Sequence, residues 1–397
     1  MTVNKDKRIL MVIVPDRPSE ILEKGEFCRR YYNPGDLFDE VHLVVTNDDC
    51  PNLELMQRTV GEAKLFIHHY IPRGGLYLFS CLFNPILLRF WARDFVALVR
   101  NIQPDLVRCH GADLNAFLGS ELKRCLGIPL LISIHTNPDA DPTRWKNKGI
   151  WRLIENAMDR LAGYTMRNAD LVMPVYSPAI PYLKRHKVKN ISVKYNVINP
   201  ESIQRKTCYK SKDVFRIVSV GRLIQGKNPE HIITALTRLP QNIIIDFVSG
   251  HGSLIPQLKE QVKELGLDDR VNFHPPLPND ELCAILPDYD LFVVHSDYAE
   301  ISKSVLEALL TGLPVVINRN SEIEIPEFTN DICYMVENDP ISYGAAISTL
   351  MNNAEMREQL GNNAYKIARS RWSPKKCEEE YKNVYEKFID QKAFSKK

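Results

Sequence analysis

Short runs of consecutive apolar residues recur along the chain at 9–14, 40–46, 106–110, 130–135, 171–175 and 191–196, with helical patterns between them. Runs of this length, rich in Val and Ile and bounded by Pro, Asp, Asn and Gly, suit strands of a parallel sheet buried on both faces. The alternation with helices predicts an α/β fold. The same pattern restarts at 215–220 and continues through 243–249, 271–273, 291–295 and 314–318, separated by helical stretches at 229–239, 253–265 and 304–310. The segment between the two series, 199–213, is polar and basic and reads as a linker. The pattern predicts two Rossmann-like, doubly wound domains, 1–205 and 206–373, that face each other across a central cleft. A last helix, within 374–397, follows Trp372 and carries Tyr381, Val384, Tyr385 and Phe388 at helical spacing. That apolar stripe needs a partner, and the prediction is that it crosses back onto the first domain. Ligands of doubly wound folds bind outside the carboxyl ends of the strands, so the chemistry is expected in the cleft.

Composition narrows the picture. The 397 residues allow two or three domains. Lys and Arg total 51 against 49 Asp and Glu, so no global positive field exists to hold nucleic acid. At 44% hydrophobic and 25% charged the chain has the balance of an ordinary soluble protein. Its 25 Pro against 18 Gly are compatible with many short connections. Nine cysteines, none in CxxC spacing, read as reduced thiols of a cytoplasmic protein. The first apolar run is too short for a signal-peptide core and fits a buried strand. The most apolar stretch, 76–91, contains Ser80, Asn84, Pro85 and Arg89 and falls short of the roughly 20 residues that cross a bilayer.

Two segments carry candidate chemistry. After the predicted strand at 215–220 come Gly221, Arg222 and, five positions on, Lys227, then Pro229 at the first turn of a helix. A planar guanidinium and a mobile ammonium at a glycine turn suit adjacent phosphates, although two cations on a surface loop are also commonplace. The second segment runs from a strand ending at His295 through Asp297 and Glu300 to a helix starting near Ser304. Amides from Ser302 to Val305, including Lys303, would form an anion site with the helix dipole behind them. Glu307, one turn in, would suit sugar hydroxyls such as a ribose diol, or serve only as an acid near a helix N-terminus.

Taken in order, Gly221-Arg222-Leu223 with Lys227-Asn228, Ser249-Gly250-His251-Gly252, Val271-Asn272-Phe273, Ser304-Val305-Leu306-Glu307-Ala308 and Thr311-Gly312-Leu313-Pro314 resemble the nucleotide-sugar half of retaining glycosyltransferases of family 4, with the two-domain GT-B fold. The match is specific over about 215–320 and weaker in the first half, through Asp170-Leu171-Val172, Tyr195 to Glu201, and Trp372 with its helix. The resemblance implies that Arg222 and Lys227 hold the donor diphosphate in place of a metal ion. It further implies that Glu307 binds the ribose and that 302–305 touch the diphosphate. Leu277 lies where backbone grips the base, His251 and Gly250 form a glycine turn near phosphate or sugar, and His135 reaches the donor sugar near the reacting carbon. No cofactor and no metal are expected. The partners implied are a nucleoside-diphosphate sugar and a hydroxyl of a glycan or lipid-linked acceptor, as in polysaccharide biosynthesis.

One departure stands out. The family's two acids are eight positions apart, and eight before Glu307 is Ala299. Either the loop is shifted so that Glu300 substitutes, or the first acid is absent, natively or by substitution, and the chain is an impaired or catalytically dead relative that binds nucleotide sugar or supports a partner enzyme. Two DxD triples, Asp139-Ala140-Asp141 and Asp288-Tyr289-Asp290, read as loop acids, and His68, His69 and His110 lack zinc spacing. The stretch 74–93, with aromatics among Arg73, Arg89 and Arg93, reads as a core helix or as a peripheral membrane contact for a lipid-linked acceptor.

Overall fold

The computed structural model describes residues 7–71, 85–141, 144, 146, 148–199, 203–210, 213–249, 252–320 and 322–394. It contains two six-stranded parallel sheets. The first has the order β3-β2-β1-β4-β5-β6, from β1 (Ile9–Val14), β2 (Glu40–Val45), β3 (Lys64–His69), β4 (Leu106–His110), β5 (Leu130–Ile134) and β6 (Leu171–Pro174). The second repeats that order as β12-β11-β10-β7-β8-β9, from β7 (Phe215–Val220), β8 (Ile243–Val248), β9 (Val271–His274), β10 (Leu291–Val294), β11 (Val315–Asn318) and β12 (Tyr334–Val336). Each is the doubly wound arrangement whose strand order reverses beside its first strand.

The apolar runs form strands because both faces of each strand are covered. In β1, Met11 and Ile13 enter one core while Leu10, Val12 and Val14 enter the core on the opposite face. In β7, Phe215 and Ile217 belong to one core and Val218 to the other. Each such fully buried side chain contributes about 1.5–3 kcal/mol of transfer free energy.

The structure departs from the sequence expectation in three places. The run 191–196 is not a strand; Ile191 makes a single bridge to Val172. The sixth strand of the first sheet is instead β3, at the edge, where exposed Lys64 and His69 flank a half-buried interior and obscure the apolar signal. The second sheet gains β12, only three residues long. The described part of the linker, 203–210, has no regular structure yet is pinned to the second half. The carbonyl of Tyr209 accepts from Arg357 Nη2 at 2.6 Å, and buried Lys206 donates to the carbonyl of Pro287 at 2.8 Å.

The last helix, Pro374–Phe394, returns to the first sheet. Tyr381 and Tyr385 join the core that holds Leu10 and Val12. Arg108, buried on β4, donates to Tyr385 Oη at 2.7 Å and to Ser133 Oγ at 2.9 Å, and lies 4.6 Å from the Tyr381 ring. Buried Glu327 ties the two halves together from the other side, accepting from Ser177 N at 2.8 Å, Ser177 Oγ at 2.6 Å and Tyr195 Oη at 3.2 Å.

Candidate active site

Between the sheets lies a cleft of about 420 Å³, lined by the loop after β7, the loop after β10 and the segment after α-helical residues 18–23 of the first half. The turn after β7 needs Gly221. Its φ of 148° is open to glycine and rarely to other residues, while a Cβ there would meet no atom within 4 Å, so backbone angle rather than crowding sets the requirement. Arg222 is exposed and lines the cleft together with Lys227. Lys227 donates to Ser296 Oγ at 3.0 Å and is in direct contact with the carboxylate of Glu300. The two loops are stitched by Asp297 N to the carbonyl of Gly226 at 2.8 Å and by Tyr298 Oη to the carbonyl of Gln225 at 3.0 Å.

The geometry at 299–300 bears on the missing acid. Ala299 is fully buried in the core at φ 45°, and Glu300 beside it lines the cleft on Lys227. The left-handed turn at Ala299 is followed directly by the Glu300 carboxylate on Lys227.

The helix Lys303–Thr311 starts at the cleft, capped by Ser302, whose Oγ accepts from the amide of Val305. The Val305 amide is thus engaged by the cap, and its side chain belongs to the core. Ser304 Oγ donates to the carbonyl of Val220 at 3.2 Å, joining the helix start to the end of β7. Glu307 is buried, and its Oε1 accepts from Asn279 Nδ2 at 2.7 Å. Burial pushes its carboxyl up to about 7, against the opposing effect of the Asn279 bond and of Lys303. Leu277 lines the cleft as well.

The first half closes the cleft through residues that the sequence patterns did not mark. Lys24 and Glu26 line it; Glu26 Oε2 lies 2.6 Å from Lys303 Nζ, and the carbonyl of Lys24 accepts from Asn279 N at 3.0 Å. Nothing in a lone Lys or Glu on a loop signals this, since both act only after the halves meet. His135 follows β5, half-buried, with its ring 5.1 Å from that of buried His110. Burial, then the charges of Arg108 and Lys303, lower its pKa to about 3, so it is a neutral imidazole. It is not among the residues lining the 420 Å³ cleft. Gly250 and His251 lie outside the described residues.

Both DxD triples are structural. Asp139 pairs with Arg185 at 2.8 Å and Arg144 at 3.4 Å, and Asp290 accepts from the amide of Arg216 at 2.9 Å. Of the stretch 74–93, the residues from 85 belong to the helix Pro85–Ile102, which buries Leu88, Ala92 and Phe95 and exposes Ile86, Leu87 and Phe90; Arg73 lies outside the described residues. No helix among the described residues is long and apolar enough to cross a membrane.

Two family models cover most of the chain. Residues 37–202 match Glycosyltransferase Family 4 and residues 201–367 match glycosyl transferases group 1. The chain is a family 4 glycosyltransferase. An uncharacterised glycosyltransferase of Methanocaldococcus jannaschii is 26% identical to this family member over 56% of the chain and 60% of the relative's own length. A sulfoquinovosyl transferase of Arabidopsis thaliana is 23% identical over 91% of this chain and 70% of its own. Among solved structures, sucrose-phosphate synthase from Thermosynechococcus elongatus superposes with a TM-score of 0.75 at 16% identity, covering 97% of this chain and 100% of that one. Anabaena HepE in complex with UDP gives 0.71 at 16% identity, covering 96% and 100%. These likenesses establish the GT-B fold for this glycosyltransferase.

Proposed function

We propose that this chain moves a sugar, with retention of anomeric configuration and without a metal ion, from a nucleoside-diphosphate sugar to a hydroxyl of a glycan or lipid-linked acceptor. The observation that carries the reading is that Arg222, Lys227, the helix start at Ser304, Leu277 and Glu307 all line one cleft. Base and ribose fit Leu277 and Glu307, and the diphosphate fits the cations. As the glycosidic bond breaks, negative charge grows on the leaving diphosphate, where two cations and a helix dipole stabilise it. The carboxylate of Glu300 orients Lys227 and is placed to receive sugar hydroxyls. The acceptor hydroxyl attacks from the face the diphosphate leaves, and closure of the halves limits hydrolysis of the donor. HepE, a structural neighbour, is solved with UDP, which supports a uridine donor. The exposed Ile86, Leu87 and Phe90 beside Arg93 favour an acceptor presented at a membrane surface.

The test is thermal shift against UDP-, GDP-, ADP- and TDP-sugars, where a ligand at 100 times its Kd adds about 2.7 kcal/mol, followed by turnover assays of Arg222→Ala and Lys227→Ala. The expected result is stabilisation by one donor class and turnover reduced about 100-fold or more in each variant. Wild-type turnover in both variants sinks the proposal. The second reading, a binder without turnover, rests on Ala299; stabilisation by a donor with no product from any acceptor in the assay would favour it.

A further inference from the structure

The cleft holds one polar group that none of the recognised motifs assigns. Asn279 opens the helix Asn279–Ile285 and is only 7% exposed. Its Nδ2 donates to Glu307 Oε1 at 2.7 Å. Its Oδ1 is buried and has no hydrogen-bond partner. Buried polar atoms left unpaired are few in folded proteins, and a candidate ligand is one of the explanations for such an atom. Asn279 and Glu307 both line the cleft, and Asn279 stands two positions in sequence from Leu277, which the proposal above assigns to the base.

We propose that Asn279 Oδ1 and the Glu307 carboxylate together read the two hydroxyls of a ribose, so that Asn279 selects ribonucleoside donors over their 2′-deoxy counterparts. The inference rests on the nucleotide-sugar reading above. A ribose offers two adjacent O–H donors, and this pair of side chains offers two adjacent acceptors held by a hydrogen bond between them. A 2′-deoxyribose satisfies one and leaves the other buried and unpaired. The position of Asn279 is set by both halves of the molecule: its amide donates to the carbonyl of Lys24 at 3.0 Å, and Gly25 approaches so closely that a Cβ there would lie 3.0 Å from Asn279 N. Recognition of the sugar of the nucleotide is thereby joined to contact across the cleft.

Isothermal titration of the full chain with UDP, GDP and ADP and with dUDP, dGDP and dADP tests this. The expected result is that the preferred ribonucleoside diphosphate binds roughly 10- to 100-fold more tightly than its deoxy form, the cost of an unpaired buried acceptor. Asn279→Ala is expected to bring that ratio to about 2 or less, chiefly by weakening the ribo form; Asn279→Ser serves as a second variant at the helix start. A purely structural role would weaken both forms together and preserve the ratio. Equal affinity of the wild-type chain for the two forms, or an unchanged ratio in a folded variant, overturns the inference while leaving nucleotide binding intact. Binding of none of the six overturns the reading on which it rests.

Discussion

Lys303, the first residue of the helix that starts at the cleft, meets Glu26 of the opposite half with Nζ 2.6 Å from Oε2. Both side chains keep about a quarter to a third of their exposure, at 26% and 33%, so the pair stabilises the fold by about 1 kcal/mol or less. Its larger effect falls on closure. Glu26→Gln is expected to leave the melting temperature nearly unchanged and to raise KM for the donor several-fold, read from steady-state kinetics at low and high salt. An unchanged KM would mean that the ion pair plays no part in closure.

Glu300 and Ala299 make opposite predictions. Glu300→Ala removes the carboxylate that touches Lys227 and is expected to slow turnover about 10- to 100-fold, with donor affinity less affected. Ala299→Glu, although it recreates the family spacing, places a carboxylate at a fully buried position with φ 45°. Such burial costs several kcal/mol, so the variant is expected to lose stability rather than gain activity. Calorimetry and turnover on the two proteins separate these outcomes, and a folded, faster Ala299→Glu enzyme would overturn the shifted-loop account.

The raised carboxyl of Glu307 predicts a pH dependence of stability. Its value rises from an ordinary 4.5 to about 7, mainly through burial. Between those values the folded chain keeps a proton that the unfolded chain has lost. This contribution is therefore fully present below about 4.5, falls as pH rises through the window at up to about 1.4 kcal/mol per unit, and is gone above about 7. Glu307→Gln is expected to flatten this slope in denaturant titrations between pH 5 and 8. An identical slope in the variant would show that another group dominates.

Glu327 clamps Ser177 and Tyr195 of the first half. Replacing it by Ala removes three bonds to a buried carboxylate and is expected to cost about 1.5–3 kcal/mol. Hydrogen exchange would then rise at Ser177 before it rises in the β-sheets. Equal protection at Ser177 in the two proteins would contradict a role for Glu327 in holding the halves together.

The buried strands were legible because Val- and Ile-rich runs covered on both faces need no other information, as in 9–14 and 215–220. The cations Arg222 and Lys227 were legible because they flank a glycine turn at a strand end. The edge strand Lys64–His69 was not, since one exposed margin dilutes its apolar pattern. Nor were Lys24, Glu26 and Asn279, whose roles arise from contacts between segments more than 200 residues apart. At Val305 a local competitor was also not legible: a serine cap at Ser302 accepts from the amide that the dipole argument assigns to an anion.

The bond from Arg108 to Tyr385 joins residues 277 positions apart. In a chain made from its amino terminus, the sheet that emerges first lacks two aromatic side chains of its own core until the last helix has left the ribosome. The second sheet, made later, in turn packs Val175, Tyr176 and Ala179 of the first half into one of its cores. A fragment cut at the polar segment near residue 205 therefore leaves the first sheet without Tyr381 and Tyr385 and Arg108 without one of its acceptors. Such a fragment is expected to be less stable than the same residues in the intact chain.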